Sequence, residues 1–436
     1  MNRRDFIRTS LAGAALAALP RWGAAEEPAS RPAGIAKRPP NIIFILTDDL
    51  GYDLLSCYGS DQFKTPNIDA LAAGGTRFRY CHTSPVCGPS RCQFMTGQYP
   101  FRSKHVENNN TADMVDFDAS PSVAKVLKGA GYVTALCGKW HMKGKGRNLQ
   151  DGWGFDEVGV LGGGAPGEYW TKQDDKTVFK PDLMHDWAVG FIQRNSARPF
   201  FLKYSMHLPH GPLSYTPDSS PETVAAIKER DRKNKNLGAV ITADNIAYLD
   251  KLVGKLMAEL ERLKLRENTL VVFAGDNGSS PRWTIGGRSL AGGKRGLRDG
   301  GPTVPMIACW PGTTPAGKVC DNLVGFEDFL PTFAELAGAP LPKDKVIDGV
   351  SFAPQLRGQK GTPREWIFTQ YQDQWFVRDQ RRKLYNDGRL VDTSDYPFKE
   401  KELPADAEPD LRRKFQKIAD DLGVDKVMKA HPEWLK

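Results

Sequence analysis

Apolar and polar residues alternate along this chain in blocks that change period. Asn41-Ile-Ile-Phe-Ile-Leu46 is a nearly continuous β-branched and apolar run, the pattern of a strand buried on both faces of a parallel sheet. Thr65-Pro66 opens a helix that Gly74-Gly75 closes, and Ser120-Pro121 opens another that ends around Gly129 to Gly131. Tyr132–Cys137, Pro199–Ser205, Thr269–Ala274 and Val304–Cys309 read as further strands. Between them, residues 182–195 read as helical. Residues 241–264 form a long amphipathic helix whose stripe is Ile246, Leu249, Val253, Leu256 and Leu260. Strands alternating with helices predict an α/β fold with a large, mainly parallel sheet covered by helices on both faces.

Past Leu356 the texture changes. Trp366-Ile-Phe-Thr, Trp375-Phe-Val-Arg and Lys383-Leu-Tyr are short strand candidates joined by turns such as Asn386-Asp-Gly388. A charged helix follows near residues 407–422. These elements predict a small C-terminal antiparallel sheet with a helix. The expected divisions are an N-terminal segment at 1–25, a proline-containing linker at 26–38, a large α/β domain at 39–356 and a small α+β domain at 357–436.

The N-terminus sets the compartment. Arg3 and Arg4 precede an apolar stretch from Leu11 to Leu19 and then small residues at Gly23, Ala24 and Ala25. That run is too short for a permanent span and has the layout of a cleaved signal, with the paired arginines of the twin-arginine type. The predicted destination is periplasmic or extracellular, in a bacterium. The 436 residues are 40% hydrophobic and 26% charged, enough apolar content for a large core. Losing the first 25 residues lowers the net charge from +8 to +5, which suits an anionic substrate. No helix-turn-helix or aromatic RNA-binding pattern points to nucleic acid. Seven cysteines do not make a disulfide scaffold.

Chemistry concentrates where strands end, the usual place for sites in α/β sheets. The first strand ends in Thr47-Asp48-Asp49, and the strand at 269–274 ends in Gly275-Asp276-Asn277-Gly278. Adjacent carboxylates repel unless a cation stands between them, and four such oxygen-bearing side chains suit Ca²⁺ or Mg²⁺. Asp or Asn beside Gly also makes ordinary turns. In Ser84-Pro-Val-Cys87-Gly-Pro-Ser-Arg91, Pro89 suits the first turn of a helix running to about Thr96. Cys87 then sits at a helix N-terminus, which favours anions, with Arg91 one turn on along the same face. A buried structural cysteine is the plain alternative.

Cys-x-Pro-Ser-Arg resembles the signature of type I sulfatases, in the alkaline-phosphatase-like superfamily, and further motifs follow in the family's order from Pro39 to about Leu403. The resemblance implies that Cys87 is oxidised to formylglycine, whose hydrate is the nucleophile, by a formylglycine-generating enzyme. It implies one Ca²⁺ per chain held by Asp48, Asp49, Asp276, Asn277 and the modified Cys87. Arg91 would hold the diol. Gly138-Lys139-Trp140-His141 would supply a sulfate-binding cation, Lys139, and a diol partner, His141. His210, in Pro209-His-Gly-Pro212, would protonate the leaving oxygen, and Lys294 would be the second sulfate-binding lysine. In the implied reaction the diol attacks sulfur in line, the alcohol leaves, and His141 helps expel sulfate and restore the aldehyde. The chain departs from the family at Asp299, where Glu is usual, and at Thr303, where Arg is usual.

The resemblance implies hydrolysis of a sulfate ester, with sulfated carbohydrate as the expected substrate and aryl sulfates as surrogates. Two rivals are weighed: a phosphomonoester or phosphonate hydrolase of the superfamily, against which Cys-x-Pro-Ser-Arg and the single-metal ligand set argue, and a non-catalytic protein that binds sulfated glycans, against which the intact nucleophile, ligands and both lysines argue. Of the remaining histidines, His82, His105, His185, His207 and His431, His207 follows a strand end and is a candidate to line the site, with a packed or solvent-facing ring the stronger expectation; His105 is a candidate substrate contact, and His431 is expected at the surface. Trp153, Trp187, Trp310 and Trp366 are expected in the core, and Trp170 and Trp283 in loops that reach a pocket.

Overall fold

The computed structural model describes residues 38–108, 115–142, 144–145, 148–162, 169–229 and 236–435. The export signal and most of the linker lie outside the described residues. Eight strands form the main sheet: β1 (Asn41–Thr47), β2 (Thr76–His82), β3 (Val133–Gly138), β4 (Glu157–Val158), β5 (Phe200–Ser205), β6 (Thr269–Gly275), β7 (Met306–Cys309) and β8 (Lys318–Gly325). Their spatial order is β8-β2-β7-β6-β1-β5-β3-β4. All neighbours are parallel except the two pairs that β7 makes, with β6 and with β2. The sheet is therefore mainly parallel, as the pattern predicts, with one reversed strand. β2 and β8 were not legible as strands: β2 mixes arginines with apolar residues, and the first half of β8 is polar and largely exposed.

The central strands β1, β5 and β6 are fully buried, which explains their unbroken apolar runs. The stripe predicted on the long helix Leu237–Arg262 is buried along its whole length. Ser122, not Ser120, caps the helix Val123–Gly129, its hydroxyl accepting from the Ala124 and Lys125 N–H groups.

Five antiparallel strands in sequential order follow: Ile367–Tyr371, Gln374–Arg378, Arg382–Tyr385, Leu390–Asp395 and Lys399–Glu402. The helix Pro409–Leu422 packs on them through Phe415 and Ala419. Their apolar cluster takes in Tyr99, Phe101 and Val106 from the first part of the chain, and residues 36–436 form one compact unit.

Packing also fixes the helix that carries Cys87. This helix, Cys87–Thr96, is buried throughout, and its Phe94 ring stacks on Phe44 of β1 at 4.0 Å and 7°. Phe326, Phe329 and Phe333 close around that pair. The contact ties the Cys87 helix to the strand that ends in Asp48. Phe94→Ala is expected to cost about 3–5 kcal/mol. Denaturant unfolding of the variant checks this, and an unchanged midpoint would contradict it.

Candidate active site

Parallel alignment brings several strand ends to one edge. Thr47 is in register with Gly275, and Asp276 N–H donates to the Thr47 carbonyl at 2.9 Å, so Asp48–Asp49 and Asp276–Asn277 emerge side by side. On the other flank, Leu46 and Gly138 both align with Ser205, and Lys139 N–H donates to the Ser205 carbonyl at 2.9 Å. β3 runs so close to β5 that a Cβ on Gly138 would lie 1.9 Å from that same oxygen, and Gly138 has φ 96°. β2 ends at the same edge and leads into Cys87, the first residue of its helix.

Three carboxylates and three cations meet there. Lys139 Nζ donates to Asp48 Oδ2 at 2.6 Å. Lys294 Nζ lies 2.6 and 2.7 Å from the two Asp49 oxygens. Arg91 Nε and Nη2 donate to Asp276 Oδ2 at 3.0 and 2.6 Å, its Nη1 donates to the Lys139 carbonyl, and its Nη2 lies 3.4 Å from Asp48 Oδ1. Asp49 takes a left-handed backbone, φ 62°, and its N–H donates to Asp276 Oδ1 at 3.0 Å. Cys87 Sγ sits 3.3 Å from Asp48 Oδ1 and 3.7 Å from Asp49 Oδ1.

These contacts set the ionisation. Burial opposes the charge on Asp48, but Lys139 and Arg91 outweigh it and hold the carboxyl well below the usual range. Burial pushes Asp276 up to about 6, with Arg91 pulling it down and Asp48 repelling it. Burial, with Asp276 and Asp48 beside it, raises the Cys87 thiol well above its ordinary value. Burial is also the largest influence on the histidines: His141, next to Lys139, falls to about 3 and His207 to about 4. His210 is lowered for the same reason, with Asp48 acting against the shift.

The donor set suits a hard divalent cation. Asp48, Asp49, Cys87 and His210 each offer a ligand atom, all within 4.8 Å of one another. Asn277 donates through Nδ2 to Asp49 Oδ1 at 2.8 Å, while its Oδ1 is buried with no hydrogen-bond partner in the described structure. A buried amide oxygen left this way carries a desolvation cost that a cation relieves. Asp276 stands beside this group, with one oxygen engaged by Arg91 and the other by the Asp49 N–H.

All ten residues singled out from the sequence lie at this edge or on the loops that frame it. His141 adopts φ 57°, and its carbonyl oxygen would lie 3.2 Å from a Cβ on Gly88. Four further residues belong to the site. His207, expected to be packed or exposed, places Nδ1 3.7 Å from Asp48 Oδ2, because it follows β5 at the common edge. His105 lies against Gly88, and Asn108 Oδ1 accepts the Gly88 N–H at 2.7 Å. Tyr169 donates its hydroxyl to the His210 carbonyl and sets its ring edge-on to His207.

Asp299 is anchored by charges from the C-terminal sheet. Its carboxylate accepts from Arg378 Nη1 at 2.9 Å and Lys383 Nζ at 2.5 Å, all three residues being fully buried. Thr303 shares a hydrogen bond with the Tyr396 hydroxyl. Of the tryptophans expected in the core, only Trp153 is fully buried, while Trp187, Trp310 and Trp366 are half-buried. Trp170 lies in the hairpin Trp170–Gln173/Lys176–Phe179 with its ring on Tyr215, and Trp283 packs edge-on to Phe63.

Comparison with known proteins agrees with this geometry. The sulfatase family model matches residues 40–339, and the model of the twin-arginine translocation signal matches residues 1–20. Human arylsulfatase A is 34% identical over 384 residues, covering 77% of this chain and 71% of its own. The N-acetylgalactosamine-6-sulfatase of Canis lupus familiaris is 30% identical over 373 residues, 76% of this chain and 68% of its own. The crystal structure of Ps i-CgsB, also solved with k-i-k-neocarrahexaose, superposes with a TM-score of 0.75 at 28% identity, over 89% of this chain and 93% of that one. Among the described residues, no helix is long and apolar enough to cross a membrane. Strand ends, charge cluster and sequence relatives converge: the chain belongs to the sulfatase family, a sulfuric ester hydrolase exported by the twin-arginine route.

Proposed function

We propose that this protein hydrolyses a sulfate ester on a carbohydrate, with residue 87 as a formylglycine nucleophile and one Ca²⁺ held by Asp48, Asp49, Asp276, Asn277 and residue 87. The observation that carries this reading is the position of Cys87, at the first turn of a buried helix, facing carboxylates already held by Arg91, Lys139 and Lys294. As a plain thiol the residue is a poor nucleophile, since burial and the carboxylates keep it protonated. Oxidised and hydrated, residue 87 supplies a hydroxyl nucleophile, and the cation supplies the charge that acidifies it.

The other residues then divide the work. Lys139 and Lys294 provide two fixed positive charges for the sulfate oxygens, one on the Asp48 side and one on the Asp49 side. Arg91 bridges Asp276 and Asp48 and orients residue 87 from one turn along the helix. His141 is neutral in the free protein, where burial and the Lys139 charge depress its pKa; negative charge on a sulfated residue 87 raises it and lets the ring take the proton of the remaining hydroxyl. His210, with Nε2 3.7 Å from Asp49 Oδ2, serves the leaving oxygen; its pKa is depressed in the free protein, and an incoming anionic ester raises it. The saccharide preference draws on Ps i-CgsB, solved with a neocarrahexaose, and on a relative named for a sugar sulfate. The maturation partner of this reading is a formylglycine-generating enzyme.

Two measurements test it. Once mass spectrometry confirms an aldehyde at residue 87, the wild type is expected to release sulfate from sulfated saccharides or an aryl sulfate, and to act far more slowly on the matched aryl phosphate. Cys87→Ala is expected to lose about 10³-fold or more in kcat/KM. Full turnover by this variant, or a preference for phosphate, would contradict the reading. In protein made without the maturation enzyme, Cys87 is expected to resist iodoacetamide at pH 7.5 until the chain is denatured. Peptide mapping reads this out, and rapid labelling of the folded protein would show that the thiol is not held protonated.

A further inference from the structure

Nine non-glycine residues among those described have a positive φ. Six lie at hairpin turns or helix ends. Lys104 caps a short helix, Asp174-Asp175 and Gln372 turn hairpins, Lys264 follows a helix end and Glu408 precedes one. The other three are Asp49, His141 and Arg295. The first two stand in the proposed catalytic group, where backbone strain is often held for function.

Arg295 adjoins Lys294. The Gly296 N–H donates to the Gly293 carbonyl at 3.0 Å and closes a β-turn with Lys294 second and Arg295 third. At the third position Arg295 has φ 67°, a conformation that glycine adopts freely and a side chain adopts at a cost. The turn is pinned to the approach to residue 87, because Arg295 N–H donates to the Pro85 carbonyl at 2.9 Å. While Lys294 turns its ammonium to Asp49, the Arg295 side chain is exposed.

Its guanidinium also lacks an acidic partner. Among the described residues, exposed arginines are commonly paired: Arg79 with Asp321, Arg194 with Glu157, Arg288 with Asp395 and Arg389 with Asp387. No carboxylate of the described residues lies within ion-pair distance of Arg295. Tyr371 lies close enough to feel both Arg295 and the carboxylate of Glu107, which accepts from Gln372 Nε2 at 3.0 Å and from the Asn108 N–H. Arg282, likewise exposed, lays its aliphatic stem along Gly293 at the start of the same turn.

We propose that Arg295 binds a second anionic group of the substrate, a sulfate or carboxylate on the sugar unit next to the one that carries the scissile sulfate. The inference rests on the sulfated-saccharide reading above. A planar guanidinium suits such groups because it donates two parallel hydrogen bonds, and here the turn anchors the Arg295 backbone directly after Lys294 and against the Pro85 carbonyl. The site thereby selects polyanionic saccharides over singly sulfated ones.

Matched pairs of sulfated disaccharides test this with the aldehyde-bearing enzyme. In one pair the partner adds a second sulfate, and in the other a uronate carboxylate. The wild type is expected to favour the doubly anionic member, and Arg295→Gly to lower that kcat/KM ratio by about tenfold. Arg295→Lys is expected to retain part of the preference, and added salt to erode it in the wild type. Because glycine relieves the φ strain, Arg295→Gly should melt no lower than wild type. A ratio unmoved in both pairs by Arg295→Gly, with both members cleaved, overturns the proposal alone. A melting temperature that falls along with the ratio overturns it in favour of a role in holding the turn. A wild type that cleaves no member of either pair overturns the sulfated-saccharide reading and this proposal with it.

Discussion

Three buried carboxylates share the carboxyl edge of one sheet, and the site depends on what balances them. Asp48, Asp49 and Asp276 arrive together because β1 and β6 are parallel neighbours in register. Like charges so close are tolerated only with cations between them. Arg91, Lys139 and Lys294 meet that need from three different segments: a helix one turn past Cys87, the end of β3 and a glycine-rich turn. The carboxylates of the cluster are of the type that suits a hard cation, and its ammonium and guanidinium groups are of the type that suits an anion such as sulfate. Stability and chemistry are two readings of one electrostatic arrangement.

That arrangement needs rigid support. Behind it, the stacked Phe44 and Phe94 rings fix the Cys87 helix to β1. Beside it, the Lys294 loop is held from the C-terminal sheet. Asp299 is buried against Arg378 and Lys383, and Lys383 reaches on to Glu400 at 2.7 Å and to the Leu297 carbonyl. A buried pair of this kind contributes little net stability against an apolar replacement, but leaving one partner unpaired is costly. Its geometry makes it a positioning device for a lysine five residues upstream. The C-terminal sheet thus holds part of the site in place.

Much of this was legible in the sequence where local chemistry decides structure. The buried strands read from their apolar runs, the Cys87 helix from Pro89, and the long helix from its stripe. The strand-end acids read as a group because two of them adjoin in sequence. What escaped depends on contacts distant in sequence. β2 and β8 carry charge on exposed positions and look like loops. Met306–Cys309 reads as a strand, but its reversed direction is set by neighbours. His207 joins the site only because β5 ends level with β1. The partners of Asp299 lie 79 and 84 residues further on, beyond the reach of any local pattern. The strain at Arg295 is visible only as an arginine inside a glycine-rich turn until the backbone is seen.

On this reading the three carboxylates form a hard-cation site and not merely a salt-bridge network. Calorimetric titration of the folded, metal-depleted protein with Ca²⁺ tests it most directly. One equivalent is predicted to bind per chain, and Asp48→Asn is predicted to weaken binding by at least about tenfold, about 1.4 kcal/mol. No heat of binding in the wild type, or equal affinity in the variant, would contradict the account.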